Sequence, residues 1–265
     1  MRAYINGIGL LAPGMEGLDT SMPVLAGDAE WVDTEMQDIS LDILPANERR
    51  RTTRLIKYVL YVASMATDEA RADGGIAASV FASSDGDTEI VDKVCESLCH
   101  SDIFLSPTLF HNSVHNAPAG YWAIATGSHA PSTSISAADN SFSSGLMESM
   151  IQLHSLEDDV LFVAYDCPPP PPLDSKRNIT MPFAVALMLG KTPRSSAYPS
   201  IQMHPLNYQS ATREQTRCQS HSLEQLRCAN PAARSLPLLE SICRKQGGDV
   251  VLPYGETHLI VSVEL

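Results

Sequence analysis

SPTLFHNSVHNAPAGYWAIATGSHAPSTSISAADNSFSSG, residues 106–145, places a turn, a helix, a short strand and the start of a second helix in succession, almost without charge. Pro107 and the polar cluster from His111 to Asn116 predict a loop, and residues 117–126, with Tyr121, Trp122 and Ile124, predict a short helix. Residues 132–137 read as a strand of small side chains, and Ser141 stands where the N-cap of a helix reaching about His154 belongs. On that helix Phe142, Gly145, Leu146, Ser149 and Leu153 share one side, small enough in places for a neighbouring element to come close. A strand that passes directly into a helix presents a side chain at the positive end of the helix dipole, which suits a nucleophile.

Around this segment, strands and helices alternate. Residues 160–165 and 76–83 read as buried strands, and residues 87–99 as an amphipathic helix through Ile90, Val91, Val94 and Leu98. Cys95 and Cys99 lie one turn apart on it; no His or acid joins them at metal-site spacing, so they read as small packing residues. From residue 47 to 72, Leu55, Tyr58, Val59, Val62, Ala63, Ala66 and Ala70 recur at three and four residues and predict one long helix. Its start carries Arg49, Arg50, Arg51 and Arg54, which the helix dipole disfavours. They are either solvated cations with local acidic partners or a contact for an acidic protein.

Residues 3–10 read as a buried strand closed by a glycine-rich turn, residues 15–44 as acidic and irregular. The string from Gly7 to Ala12 fits a dinucleotide fingerprint only in its letters, because Pro13 and Gly14 deny the helix that must open there. Gly190-Lys191-Thr192 is no phosphate loop, since Val185 stands where the first glycine must be. The proline run 168–172 predicts a stiff spacer at a strand exit. Residues 181–189, 200–204 and 258–265 read as strands, 232–246 as a helix, and 207–227 as a polar, glutamine-rich stretch, partly helical or mobile. Alternation of this kind predicts a layered α/β fold.

With 265 residues, 44% hydrophobic and 18% charged, the chain has the composition of a globular domain able to bury a substantial core. A formal charge of −13 argues against nucleic acid or an anionic membrane as the main partner. Six cysteines form no C-x-x-C pair, and no Cys/His set has zinc spacing, so reduced thiols in the cytoplasm are expected, with no metal and no cofactor. The first residues are broken too early by Pro13 and Gly14 for a signal peptide, and no apolar run is long enough to span a bilayer.

The strings SPTLFHNSVHNAPAGYWAIATG and APSTSISAADNSFSSGLMES, with YINGIGLLAPG at the N-terminus, resemble the N-terminal half of the β-ketoacyl synthases. Within that family the segment is most similar to the chain-length factors of aryl polyene pathways. The resemblance implies a truncated thiolase-like α/β fold: a single domain over residues 1–265, with recognisable motifs in 3–166 and a short C-terminal remnant in 180–265. It also implies that the slot of the acyl-accepting cysteine, at the strand-to-helix junction, is held here by Asp139, which cannot carry a thioester. The two histidine motifs of the condensing enzymes do not occur in this chain; His204, His221 and His258 lie in the corresponding half without that context.

A subunit without nucleophile or histidines is expected to pair with an active β-ketoacyl synthase, to receive substrates on an acyl carrier protein and to complete the partner's acyl tunnel. The resemblance places Leu109, Phe110 and His111 at the tunnel floor, Val114 and His115 on the same loop towards the interface, and Asn112 to Asn116 as the groups that fix it. Alternatively Leu109 and Phe110 fill this chain's own core. Two other readings stand beside this one. Arg49, Arg50, Arg51 and Arg54 suit a docking or scaffold subunit for an acidic carrier protein. Ser136 or Ser141 with His115 and Asp166 suit an acyl hydrolase or acyltransferase, although no G-x-S-x-G elbow exists.

Overall fold

The computed structural model describes residues 1–70, 78–99, 105–156, 159–194, 197–204 and 213–265. In chain order the elements are β1 (Arg2–Ala12), β2 (Met15–Glu16), α1 (Leu18–Ala26), α2 (Ala46–Arg49), α3 (Arg54–Glu69), β3 (Ala78–Ala82), α4 (Thr88–Cys99), α5 (Pro107–Asn112), α6 (Ala117–Thr126), β4 (Ser132–Ile135), α7 (Ser141–Ser155), β5 (Val160–Asp166), β6 (Phe183–Gly190), β7 (Ser200–Met203), α8 (His221–Ala229), α9 (Leu236–Cys243), β8 (Gly248–Tyr254) and β9 (Thr257–Glu264). The strands form one mixed sheet in the order β4-β3-β5-β6-β1-β7-β9-β8, with β2 folded back on β1. β4, β3 and β5 are parallel; the remaining pairs are antiparallel.

Helices cover both faces, and the two-residue alternation of the strands divides the core accordingly. On β5, Val160, Phe162 and Ala164 join one apolar cluster with α7, α8 and α9, while Leu161, Val163 and Tyr165 join another with α3 and α6. Strands buried on both faces read as continuous apolar runs, which is why β5 and β6 are legible as strands although they do not alternate.

β1 changes register within its own length. A bulge between Ile5 and Gly7 turns Asn6 inward, where its side-chain amide donates to Asp159 Oδ2 (3.3 Å) and Thr192 O (3.2 Å) and its Oδ1 accepts from Arg194 N (2.9 Å). Beyond the bulge Gly7 and Gly9 face α3, and the amide of Ile8 donates to Glu69 Oε2 (2.6 Å) at the end of that helix. At α7, a Cβ on Gly145 would lie 2.5 Å from the Phe162 ring and 2.7 Å from Ala82 Cβ, so this small residue serves close helix-to-sheet packing.

Several expectations are corrected. The helix predicted over 47–72 is two: Thr53 caps α3 by accepting from Ile56 N (3.2 Å), and only Arg54 stands at that helix start. The irregular stretch 15–44 contains β2 and α1, the latter with Pro23 inside it. The loop around His111 begins with a helical turn, α5. Cys95 and Cys99 are exposed rather than packed. The helix over 232–246 is a 3-10 turn (Ala232–Ser235) followed by α9. Within 207–227, α8 is ordered helix, and residues 207–212 lie outside the described residues, as do 76 and 77 of the strand at 76–83.

Candidate functional site

The three parallel strands end together, at Ala82, Ile135 and Asp166, and the C-terminal ends of parallel strands are where α/β sheets build their sites. β3 runs out into Ser83-Ser84-Asp85-Gly86. Asp166 holds this turn from below: one carboxylate oxygen accepts from Ser83 Oγ (2.9 Å), Ser84 N (2.8 Å) and Ser84 Oγ (2.7 Å). The other, Oδ2, is buried without a partner among the described residues. Burial pushes the Asp166 carboxyl up to about 7, against the hydrogen bonds of Ser84 and Ser83 that favour its charge. Burial likewise pushes the thiol of the adjacent Cys167 up, so this cysteine is held as a thiol.

The neighbouring strand hands over to a helix as the small residues of 132–141 predict. β4 is followed by a 3-10 turn, Ala138–Asn140, that leads into α7. Ala138 there takes a left-handed backbone, φ 47°, a conformation that residues with a Cβ adopt at a cost and that gathers at functional sites. Asp139, the next residue, is exposed and accepts from Arg177 Nη2 (3.0 Å). Arg177 Nε donates to Asp85 Oδ2 (2.7 Å), so one guanidinium joins the β3 exit to the junction. Ser136 Oγ donates to Ser84 O (2.7 Å), and His115 Nε2 lies 3.1 Å from Ile135 O.

These partners leave the hydrolase constellation unassembled. Ser136 is committed to the Ser84 carbonyl, and Ser141 donates to Ala138 O (2.7 Å) and accepts from Ala137 N (3.0 Å). His115 and Asp166 are engaged with a carbonyl and with the two serines, not with each other. Among the described residues no group of three or more His, Cys, Asp or Glu side chains could hold a metal, and no helix is long and apolar enough to cross a membrane.

The loop ahead of the junction divides into an anchor and an exposed tip. Asn112 is buried, donates to Arg51 O (2.8 Å) and accepts from Tyr121 OH (3.1 Å). His111 sets its ring edge-on to Tyr121, with centroids 6.1 Å apart. Phe110 is 64% exposed and Val114 is exposed with it, Leu109 is half-buried and Asn116 is exposed. Phe110 therefore does not fill this chain's own core. The arginines meet local acids: Arg49 with Asp42 (2.8 Å), Arg51 with Glu48 (3.5 Å) and Arg54 with Glu89, leaving Arg50 without an ion pair among the described residues.

Arg177 and the Ser83 to Gly86 turn escaped the sequence reading. The polar cluster SSDGD directly after an apolar strand is a signal that marks the turn; nothing near Arg177 marks the arginine.

Residues 26–242 match the family model described as beta-ketoacyl synthase, N-terminal domain. No curated protein matches the chain. Among solved structures the chain is similar to the ketosynthase ApeO in complex with its chain length factor ApeC from Xenorhabdus doucetiae, at 20% identity and a TM-score of 0.74, covering 99% of each chain. It is also similar to the ishigamide ketosynthase/chain length factor, at 12% identity and a TM-score of 0.70, again covering 99% of each. A third structure, a type II PKS acyl-carrier protein in complex with its ketosynthase, gives 10% identity and a TM-score of 0.69, covering 100% of this chain and 99% of that one.

Proposed function

The chain belongs to the β-ketoacyl synthase family, with the thiolase-like fold of the ketosynthases, and from that premise we propose that it is a non-catalytic chain-length factor. It pairs with an active β-ketoacyl synthase and shapes the partner's acyl tunnel, in a pathway of the aryl polyene type. The observation that carries this is the junction: the strand, the left-handed turn and the helix are all present, and the side chains offered there are a methyl group at Ala138 and an ion-paired carboxylate at Asp139. Neither accepts an acyl group from a thioester and keeps it.

Two surface features support a partner. β4 is an edge strand, paired on one side only among the described residues, and α6 and α7, which pack against it, carry exposed Ile124 and Ile151. Phe110 and Val114 project from the loop that the resemblance assigns to the tunnel floor. Replacing Ile124 and Ile151 together by Asp is expected to abolish association with the synthase while the free chain stays folded, as size-exclusion chromatography of the mixture and circular dichroism of the free chain would show.

The chemical test is an intact-mass assay. Incubated with an acylated carrier protein, this chain alone is expected to leave the carrier loaded and to gain no acyl mass. Stripping of the carrier would establish a hydrolase, and an acyl adduct a condensing subunit; either outcome defeats the proposal. In the complex, Phe110→Ala removes bulk from the tunnel floor and is expected to lengthen the products by one or more extension units. An unchanged length distribution from an intact complex would remove the gating role. Of the four arginines, Arg50 alone has no ion pair among the described residues, and its charge supports a carrier-docking role.

A further inference from the structure

At the end of the sheet away from the junction, β1 and β7 begin and β9 ends, and between them and the turn after α9 lies a cleft of about 580 Å³. That is the size of a small-molecule site. Four rings wall it, those of Tyr4, Tyr198, Pro193 and Pro199. Two side chains hold these walls in place. Asn6, 1% exposed, fixes the chain on either side of Pro193 by donating to Thr192 O (3.2 Å) and accepting from Arg194 N (2.9 Å). Glu69 accepts from Tyr198 OH (2.5 Å) with one oxygen and from Ile8 N (2.6 Å) with the other. The cleft is therefore formed before any ligand arrives.

The charges of the cleft do not cancel. Arg2 pairs with Glu264, whereas Lys245 has no ion pair among the described residues, in a chain whose formal charge is −13. Lys245 is also placed at a cost. It follows α9 with a left-handed backbone, φ 50°, its amide donating to Ile242 O (3.1 Å) and that of Gln246 to Ser241 O (2.9 Å). Helices that end in this pattern favour glycine at the left-handed position, where a Cβ is crowded. A lysine standing where glycine is the more stable choice, with a free ammonium beside a ring-walled cleft, is strain of the kind that gathers at binding sites. We infer that the cleft binds a small organic monocarboxylate with a flat, ring-bearing body, held by Lys245 at its carboxylate and by the two tyrosines and two prolines at its ring. One net positive charge matches a monoanion; a phosphate dianion would bring uncompensated charge next to Glu264. The hydroxyl of Tyr4, without a hydrogen bond among the described residues, is a further donor for the carboxylate. Because the cleft and the junction lie at opposite ends of the sheet, binding here stands or falls apart from the chain-length-factor reading.

Benzoate is the probe, benzamide its neutral counterpart and inorganic phosphate the anion without a ring, each titrated into the full chain by calorimetry at constant ionic strength. Benzoate is expected to bind saturably and at least about tenfold more tightly than either. Lys245→Gln, which keeps the Cβ and removes the charge, is expected to weaken benzoate about tenfold and leave the urea midpoint where it was. Lys245→Gly is expected to lose the same affinity while the free chain becomes more stable, so that binding and stability move in opposite directions. Benzamide or phosphate binding as tightly as benzoate, no saturable binding at millimolar benzoate, or an unchanged affinity in Lys245→Gln overturns the inference. A loss of stability in both variants would mark Lys245 as a structural residue and overturns it as well.

Discussion

Gly9→Val is expected to yield no soluble folded chain. β1 crosses beneath α3, and a Cβ built on Gly9 would stand 2.0 Å from the carbonyl oxygen of Val62 and 2.8 Å from its carbonyl carbon. Both atoms are backbone inside a helix, so no rotamer change relieves the contact; the helix must lift off the sheet. Leu55, Val59, Val62, Ala63 and Ala66 would lose their packing with it. Overpacking of a core that can adjust costs about 1–3 kcal/mol, but a backbone collision under the main helix belongs to the rarer class above about 4 kcal/mol. That is much of the roughly 5–15 kcal/mol by which a domain is stable. Gly120→Ala is the counterpart. Inside α6 a Cβ on Gly120 meets nothing within 4 Å, and the change should raise stability by about 0.5–1 kcal/mol through helix propensity. Urea denaturation of both variants checks the pair. A Gly9→Val chain with parental stability would show that α3 does not lie where the structure puts it.

The sheet was legible where strands are buried on both faces, because nothing but apolar residues fits there: β1, β5 and β6 all stand out as runs. The helices were legible where the 3.6-residue period was complete, as on α3 and α7. What escaped has physical reasons. α1 carries a proline in mid-helix, a breaker signal that tertiary packing of Val24 and Leu25 overrides. The break between α2 and α3 is set by the capping hydroxyl of Thr53, one side chain in a run of arginines that hides it. α4 was legible as a helix but not in its orientation: periodicity finds an apolar face, and the partner of that face is a matter of tertiary structure.

The junction was the most legible part of the site, since small residues between a strand and a helix mark a sharp handover. The strained left-handed position is Ala138, and Asp139 beside it is occupied by Arg177. Arg177 comes from the segment after the proline run, far along the chain, and no local pattern pairs it with Asp85 and Asp139. Of the stretch expected to fix the loop, Asn112 is the buried, hydrogen-bonded residue while Asn116 is exposed, and the exposure of Phe110 could be learned only from the fold.

Asp166→Asn is expected to remove most of the pH dependence of stability between about pH 4 and pH 7. The ordinary carboxyl value is 3.8, and burial of Asp166 raises it to about 7 in the folded chain. Between those values the folded state holds a proton that the unfolded state has lost, so stability is full below the lower value and declines as pH rises towards the upper. A shift of this size corresponds to roughly 4 kcal/mol, lost by pH 8. Asp87 and Glu240, also raised by burial, act with the same sign. Glu224 acts oppositely: its hydrogen bonds with Arg227 hold it down at about 2, so its contribution is present above its ordinary value and is lost only in strong acid. The asparagine keeps the oxygen that serves Ser83 and Ser84 but places an amide where Oδ2 has no partner, which costs about 1–3 kcal/mol at every pH. The two stability curves should therefore cross. The parent is more stable at pH 4.5, and the variant equals or exceeds it at pH 8, in urea titrations with unchanged slopes. Parallel curves would show that Asp166 is not the group whose ionisation loads the turn under the junction.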